Sequence, residues 1–291
     1  MKVKPTDLAG YVKRKTSKSR ITIGRYWLYY LQKPPVFAGL IDAHSREQYN
    51  SLMMSQETLA RPLVLASASP RRRKLLGLLG LAFDARAARI EEKPHPGESP
   101  VTAMQRFARE KAAAVSIEIA VNGRSIVIGA DTMVVLDGEM LGKPRDAAEA
   151  IRTLRRLRGR EHQVYTALSI LATPAAKPLE CLARTLVPMR RYTDQEIDCY
   201  VRSGDPLDKA GAYAIQNTSF RPVTKLTGCY ANVMGFPLCH LTRQLRKLDI
   251  EPPADIPTAC QRRLDYTCPV YGRVLTSPPC GTCLAGQRPA Y

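Results

Sequence analysis

Leu63-Val64-Leu65-Ala66-Ser67-Ala68-Ser69-Pro70-Arg71-Arg72-Arg73-Lys74-Leu75-Leu76 passes from an apolar run to a basic turn and on to a second apolar run. Leu63 to Ala66 reads as a buried strand, and Leu75 to Leu79 as the apolar side of a helix. Between them Ser69 offers a capping hydroxyl and Pro70 a preset first turn. The free backbone N–H groups of such a helix start favour an anion, and the successive arginines strengthen that field. The turn therefore reads as a place to hold phosphate.

Outward from this turn, strands and helices alternate. Phe83 to Ile90 reads extended. Ser99 and Pro100 then open a helix with Met104, Phe107, Ala108, Ala112 and Val115 at helical spacing. Ser125 to Ala130 and Met133 to Leu136 are strand-like, and Asp137-Gly138 marks a hairpin turn. Ile151, Leu154 and Leu157 form a helical stripe closed by Gly159. Gln163 to Leu171 is a strand, Thr193 and Glu196 make a capping box for a helix closed by Gly204, and Leu238, Leu241, Leu245 and Leu248 line the last helix. The expected class is α/β with a mixed sheet, and no internal repeat is visible.

This organised region spans residues 61 to 248. Residues 1 to 60 form a basic extension without a sustained period, in which Met53 and Met54 offer an alternative start. A chain starting at Met54 is expected to stay soluble and active. Residues 249 to 291 open with Glu251-Pro252-Pro253 and read as a Pro- and Cys-containing appendage. In that tail Cys280-Gly281-Thr282-Cys283 has the spacing of a metal half-site, whereas Cys260 and Cys268 are poorly spaced to complete a zinc knuckle. Incidental thiols are the simpler reading.

With 291 residues and 45% hydrophobic content, the chain can bury a full core. Tyr26 to Leu31 is too short for a membrane span. Eight cysteines without a secretory signal indicate a reducing, cytoplasmic setting. The 44 basic and 26 acidic residues leave a net charge of +18, which suits a polyanionic partner. The excess is spread over the head and the middle, with no aromatic-interleaved basic stripe, so a solvated surface is favoured over a nucleic-acid face.

Gly129-Ala130-Asp131-Thr132 places a carboxylate at the end of a strand, where side chains reach the cleft of an α/β sheet. Glu91-Glu92 follows another extended run, and Gly142-Lys143-Pro144 follows the hairpin. Carboxylates for a divalent cation and a lysine for phosphate thus converge in the sequence with the Arg71 turn.

The segment resembles the Maf family of nucleoside triphosphate pyrophosphatases. The matching stretches are Ala66 to Arg72, Ala108-Arg109-Glu110-Lys111-Ala112, Gly129 to Thr132, Gly142-Lys143-Pro144, His162-Gln163-Val164-Tyr165-Thr166, Pro206 to Tyr213 and Gly228 to Pro237. The resemblance implies a mixed-sheet Maf/inosine-triphosphatase-like fold with a central cleft. It also implies cleavage of a nucleoside triphosphate to the monophosphate and pyrophosphate, with Mg or Mn, in a housecleaning role. By the same resemblance Asp131 activates water, and Arg71, Thr132 and Gln216 set base preference in the dTTP and UTP branch. A glutamine amide both donates and accepts, which suits a thymine or uracil edge. Arg71, Arg72, Lys111, Lys143 and Lys209 are the expected phosphate-binding groups, and Glu91, Glu92 and Asp131 the expected cation ligands.

Three positions depart from the family pattern: Asn217 and Ala214 stand where glycine is common, and Glu161 where Ser or Thr is frequent. They leave base preference less firmly implied than the reaction. The alternatives are a 7-methyl-GTP pyrophosphatase, against which the Arg71, Lys111 and Gln216 set argues, and a regulator of septum formation or nucleic-acid binder without catalysis. The expected partner is the nucleotide, with neither membrane nor nucleic acid, and a homodimer is left open.

Overall fold

The computed structural model describes residues 61–119, 124–173 and 177–277. The expectations for residues 1 to 60, and for Cys280 and Cys283, lie outside the described residues. The chain opens with β1 (Leu63–Ala66), α1 (Pro70–Leu76) with a 3-10 turn over Gly77–Leu79, β2 (Phe83–Arg86) and α2 (Pro100–Ile119). There follow β3 (Ile126–Leu136), β4 (Glu139–Leu141), α3 (Ala147–Leu157), β5 (Glu161–Ala172), β6 (Leu179–Pro188) and α4 (Asp194–Arg202). Two 3-10 turns (Asp205–Asp208 and Ala210–Ala212), α5 (Tyr230–Val233), α6 (Leu238–Arg246), α7 (Ile256–Leu264) and α8 (Tyr271–Thr276) complete it.

The strands form one mixed sheet in the order β2-β1-β3-β5-β6, with β4 added to β3. β1 runs parallel to β2 and β3, whereas β3, β5 and β6 are mutually antiparallel neighbours. Strand alternation sends Leu63, Leu65, Ile126, Ile128, Leu168 and Ile170 to one face, where Leu75 and Leu76 of α1 and Leu241 and Leu245 of α6 cover them. Val64, Ala66 and Val127 point the other way, against Ala112, Val115 and Ile119 of α2. Each such aliphatic side chain contributes about 1.5–3 kcal/mol when fully buried. Beyond this, Val134, Leu136, Val164 and Val187 pack with α3 and α4 in a second cluster.

The expected helix starts appear as read. Ser69 accepts from the Arg72 amide, and Thr193 and Glu196 form the capping box. Four features differ from the sequence reading, the first being β6, a strand that the sequence does not mark. The two stretches on either side of Asp131 are one continuous strand, and the run from Phe83 is a strand only to Arg86. Residues 249 to 277 carry two helices, α7 and α8, and Ile256, Cys260, Leu264, Val274 and Leu275 pack onto the same cluster as β1 and α6. The described tail thus shares the core of the 61–248 region. Among the described residues, no helix is long and apolar enough to cross a membrane.

A gap in the sheet is what positions the site. β3 pairs with β5 from Ile126 to Val135, but on its other edge β1 ends opposite Ile128 and β4 begins opposite Val134. Gly129 to Met133 therefore have a strand neighbour on one side only.

Candidate active site

Arg72, from the first turn of α1, fills part of this gap. Its Nη1 donates to the Ala130 carbonyl at 2.9 Å, a backbone acceptor that β1 would have taken had it continued. Its Nη2 donates to Thr132 Oγ1 at 3.0 Å and its Nε to the Gly235 carbonyl at 3.0 Å. Ser67 Oγ accepts from Nη1 at 3.4 Å, so one guanidinium joins the β1 turn, β3 and the segment after α5. Burial lowers the Arg72 pKa and the Asp131 charge opposes that; an arginine remains charged throughout. The sequence reads Arg72 as a phosphate arm. In the structure it is first a strut.

Asp131 lies on the α2 side of β3, where the helix backbone comes close because residue 129 is glycine. A Cβ there would stand 2.0 Å from the Ala108 carbonyl oxygen and 2.8 Å from the Ala112 nitrogen. This approach brings Lys111 Nζ to 2.6 Å from Asp131 Oδ1 and 2.7 Å from Glu92 Oε1. Burial raises the Asp131 pKa above the usual carboxylate range, although Lys111 and Arg72 pull it down. At Glu92 burial also pushes upward. The hydrogen bond and charge of Lys111, with Lys143 and Arg72 behind them, overcome it and hold that carboxyl low. Two carboxylates on one strand face and one loop thus differ in affinity for a proton because one is enclosed and the other open.

Thr132 points to the opposite face. Its hydroxyl meets Thr166 Oγ1 at 3.1 Å, and Thr166 donates to the Asn232 carbonyl. Asn232 Nδ2 in turn donates to the Val164 carbonyl and to Thr185 Oγ1. Gly235, at φ +93°, closes over this side: a Cβ on it would lie 2.9 Å from Thr132 Oγ1. Thr166, Asn232, Gly129 and Gly235 stood in quoted motifs without a role. Their work is packing and backbone bonding across the sheet, which spacing along the chain does not reveal.

The remaining expected residues stand on the loops around the gap. Arg71 pairs with Asp208 at 3.6 Å, and buried Lys209 donates to Asp205 Oδ1 at 3.0 Å and to Asp208. The Gly211 amide donates to the Gly142 carbonyl at 3.0 Å, which ties this turn to the Gly142-Lys143-Pro144 loop. Lys143 is exposed, and its charge reaches Glu92. Glu91 is exposed and Gln216 is exposed, and neither has a hydrogen-bond partner among the described residues. The turn carrying Gln216 is nevertheless fixed: Asn217 Nδ2 donates to Asp205 Oδ2, its Oδ1 accepts from the Phe220 amide, and Tyr200 links Asp205 to the Ala214 amide. Asn217, a departure from the family pattern, is a brace here. Lys111 thus joins Asp131 to Glu92 directly, Arg72 and Lys143 act on Glu92 through their charge, Arg71 and Lys209 meet at Asp208, and Glu91 and Gln216 join neither group.

The profile of the family described as Maf-like protein matches residues 62–248. A dTTP/UTP pyrophosphatase of Anaeromyxobacter dehalogenans (strain 2CP-C) is 47% identical over 201 residues, covering 68% of this chain and 100% of that protein. Proteins of the same name from Dictyoglomus turgidum and Geobacter sulfurreducens are 43% and 45% identical, covering 65% and 64% of this chain and 97% and 96% of theirs. Among solved structures, the Ham1 protein of Staphylococcus aureus aligns at 15% identity with a TM-score of 0.31, over 44% of this chain and 72% of that one. A dITP/XTP pyrophosphatase of Mycobacterium abscessus aligns at 16% identity with a TM-score of 0.34, over 64% and 97%. Likeness this slight assigns nothing to this chain.

Proposed function

The chain belongs to the Maf-like protein family, and from that premise we propose that it is a hydrolase of dTTP, UTP or their modified analogues, releasing the nucleoside monophosphate and pyrophosphate. The observation that carries this reading is the largely buried Asp131 carboxylate held at 2.6 Å from Lys111 in the open stretch of β3, with Arg72 alongside. A carboxylate whose pKa is raised by burial is a better proton acceptor than an exposed one, while the charge and hydrogen bond of Lys111 oppose that rise.

In this mechanism Asp131 takes the proton of the water that attacks the α-phosphorus, and the pyrophosphate leaves with its charge neutralised. Arg71, Lys143 and Lys209 stand on mobile-length side chains around the gap and supply that neutralisation, with Lys209 first released from its aspartates by the triphosphate. Arg72 holds β3 in place and adds its field. Thr132, Arg71 and Gln216 are assigned to base recognition, Gln216 from a turn braced by Asn217.

Glu92 and Asp131 both present an oxygen to one ammonium, and although no group of three or more such ligands gathers among the described residues, these two carboxylates are the ones that would hold a divalent cation. An all-oxygen pair of this kind suits Mg or Mn completed by phosphate oxygens and water. Such an ion would offset charge on the reacting phosphate. Glu91, facing solvent, is the least favoured of the three carboxylates for this role.

The catalytic unit is residues 61–248 together with the helices α7 and α8 that share its core, and the setting is the cytoplasm. The test is pyrophosphate release by the full chain from a panel of common and modified triphosphates with Mg or Mn, run in 18O-labelled water. The expected result is turnover of UTP and dTTP above that of the purine triphosphates, with the label in the monophosphate. Preferential turnover of 7-methyl-GTP, or label in the pyrophosphate, would contradict it.

A further inference from the structure

Away from the gap, a small cavity of about 20 Å³ lies where the tail helices meet α5 and α6, and Cys229, Cys239, Cys260 and Cys268 all line it. Two of these thiols are singled out by their surroundings. Cys229 is the N-cap residue of α5, where its Sγ accepts from the Asn232 amide at 3.4 Å. Cys268 stands on the loop after α7, partly exposed, and lines the same cavity. The loop is not free to wander: Tyr266 Oη donates to the Gly228 and Leu226 carbonyls at 2.8 and 3.1 Å, the Tyr230 and Tyr266 rings pack at 5.4 Å, and Gln261 Oε1 accepts from the Cys268 amide. These contacts hold the two residues at the wall of one small cavity.

We propose that Cys229 and Cys268 are a thiol pair that closes reversibly to a disulfide on exposure to a low-molecular-weight disulfide such as oxidised glutathione. The Cys268 thiolate attacks one sulfur of the oxidant, forming a mixed disulfide and expelling one glutathione thiolate. The Cys229 thiolate then attacks the Cys268 sulfur, which expels the second glutathione and leaves the intramolecular bond. Two protein thiols are oxidised and one glutathione disulfide is reduced to two thiols. The order follows from exposure and proton affinity. Interaction with the Cys229 thiol draws the Cys268 thiol below its ordinary pKa, whereas Cys229 is raised by the same interaction and by burial. Burial also pushes Cys239 up to about 12 and Cys260 up to about 11, so both are poor nucleophiles near neutral pH.

The bond would join a tail residue outside the 62–248 family match to the short segment that ends in Gly235. That segment carries Asn232, bonded to Thr166, and the Gly235 carbonyl that accepts from Arg72. Covalent constraint at Cys229 therefore reaches the Arg72 strut through α5. A misplacement of a fraction of an ångström there slows turnover, and roughly tenfold is the expected scale.

The experiment treats the full chain with oxidised glutathione, caps the remaining thiols with N-ethylmaleimide, and maps the peptides by mass spectrometry, with turnover of UTP measured before, after, and after dithiothreitol. The expected result is a Cys229–Cys268 linked peptide, slower turnover and recovery on reduction. The C268S variant should keep its basal turnover and lose the response, whereas C260S should keep both. The proposal is overturned if both thiols stay open to the capping reagent, if Cys268 pairs with another cysteine, or if turnover is the same in both states. Peptide mapping does not depend on the assigned activity, so its outcome stands even if UTP is not the substrate.

Discussion

Arg72 and Arg158 each sit among protein oxygens, yet one is enclosed in the gap of β3 and the other lies at the exposed corner between α3 and α4. Arg72 is bonded to two backbone carbonyls and two hydroxyls from different parts of the chain. Arg158 pairs with Asp194, which also binds Arg155; nearby, Arg156 takes Glu139 and Arg160 takes Asp137. At the corner, water competes for every donor and salt screens every charge, so the pairs add little. In the gap, an unmade bond leaves an acceptor without water or partner.

The contrast can be broken or sharpened by substitution. Arg72→Met should destabilise the fold by about 3 kcal/mol or more, because it strands the Ala130 and Gly235 carbonyls and removes the charge beside Asp131. Chemical denaturation measures this, and a change under 1 kcal/mol would show that the strut is dispensable. Gly129→Ala comes next. Its Cβ would displace α2 from β3, at about 1–3 kcal/mol, and would carry Lys111 away from Asp131, so activity should fall further than stability alone explains.

Lys111→Met sharpens the electrostatic part. Lys111 lowers the Asp131 pKa, so its loss lets burial raise that pKa further, and the acid limb of kcat/KM should move to higher pH, with Lys111→Arg restoring most of the shift. The sign for stability is the reverse of the usual aspartate. A carboxyl raised by folding favours the folded state below its unfolded pKa, and that contribution is lost as pH rises through the folded value. Relative to Asp131→Asn, the native chain should therefore lose stability as pH rises across that window. The smallest effect belongs to the corner: Asp194→Asn should leave Tm within about 2 °C and UTP turnover unchanged.

What the sequence discloses follows the same division between local and distant causes. β1, α1, the Asp137-Gly138 hairpin and the capping box of α4 rest on adjacent residues, and all are legible. β6 is not, because its buried positions hold Ala183 and Thr185 beside Val187 while Leu182 and Leu186 are partly buried on the other face, so no apolar–polar alternation marks it. α7 and α8 are hidden among prolines. Their apolar residues make sense only once β1 and α6 present a surface to cover. Asp131, Lys111 and Glu92 could be picked out by residue type and motif. That Lys111 bridges the two carboxylates, that Arg72 replaces a missing strand neighbour, and that Gly129 permits both depend on contacts between segments far apart in the chain.

The claim on which the rest stands is that the enclosed carboxylate of Asp131 moves the proton in triphosphate hydrolysis. Nucleotide binding and pyrophosphate release by Asp131→Asn, measured on the same sample with UTP, test it most directly. The account predicts affinity within a few-fold of the native chain and release slower by about 10²–10⁴. Release at a native-like rate, with binding intact, would contradict it.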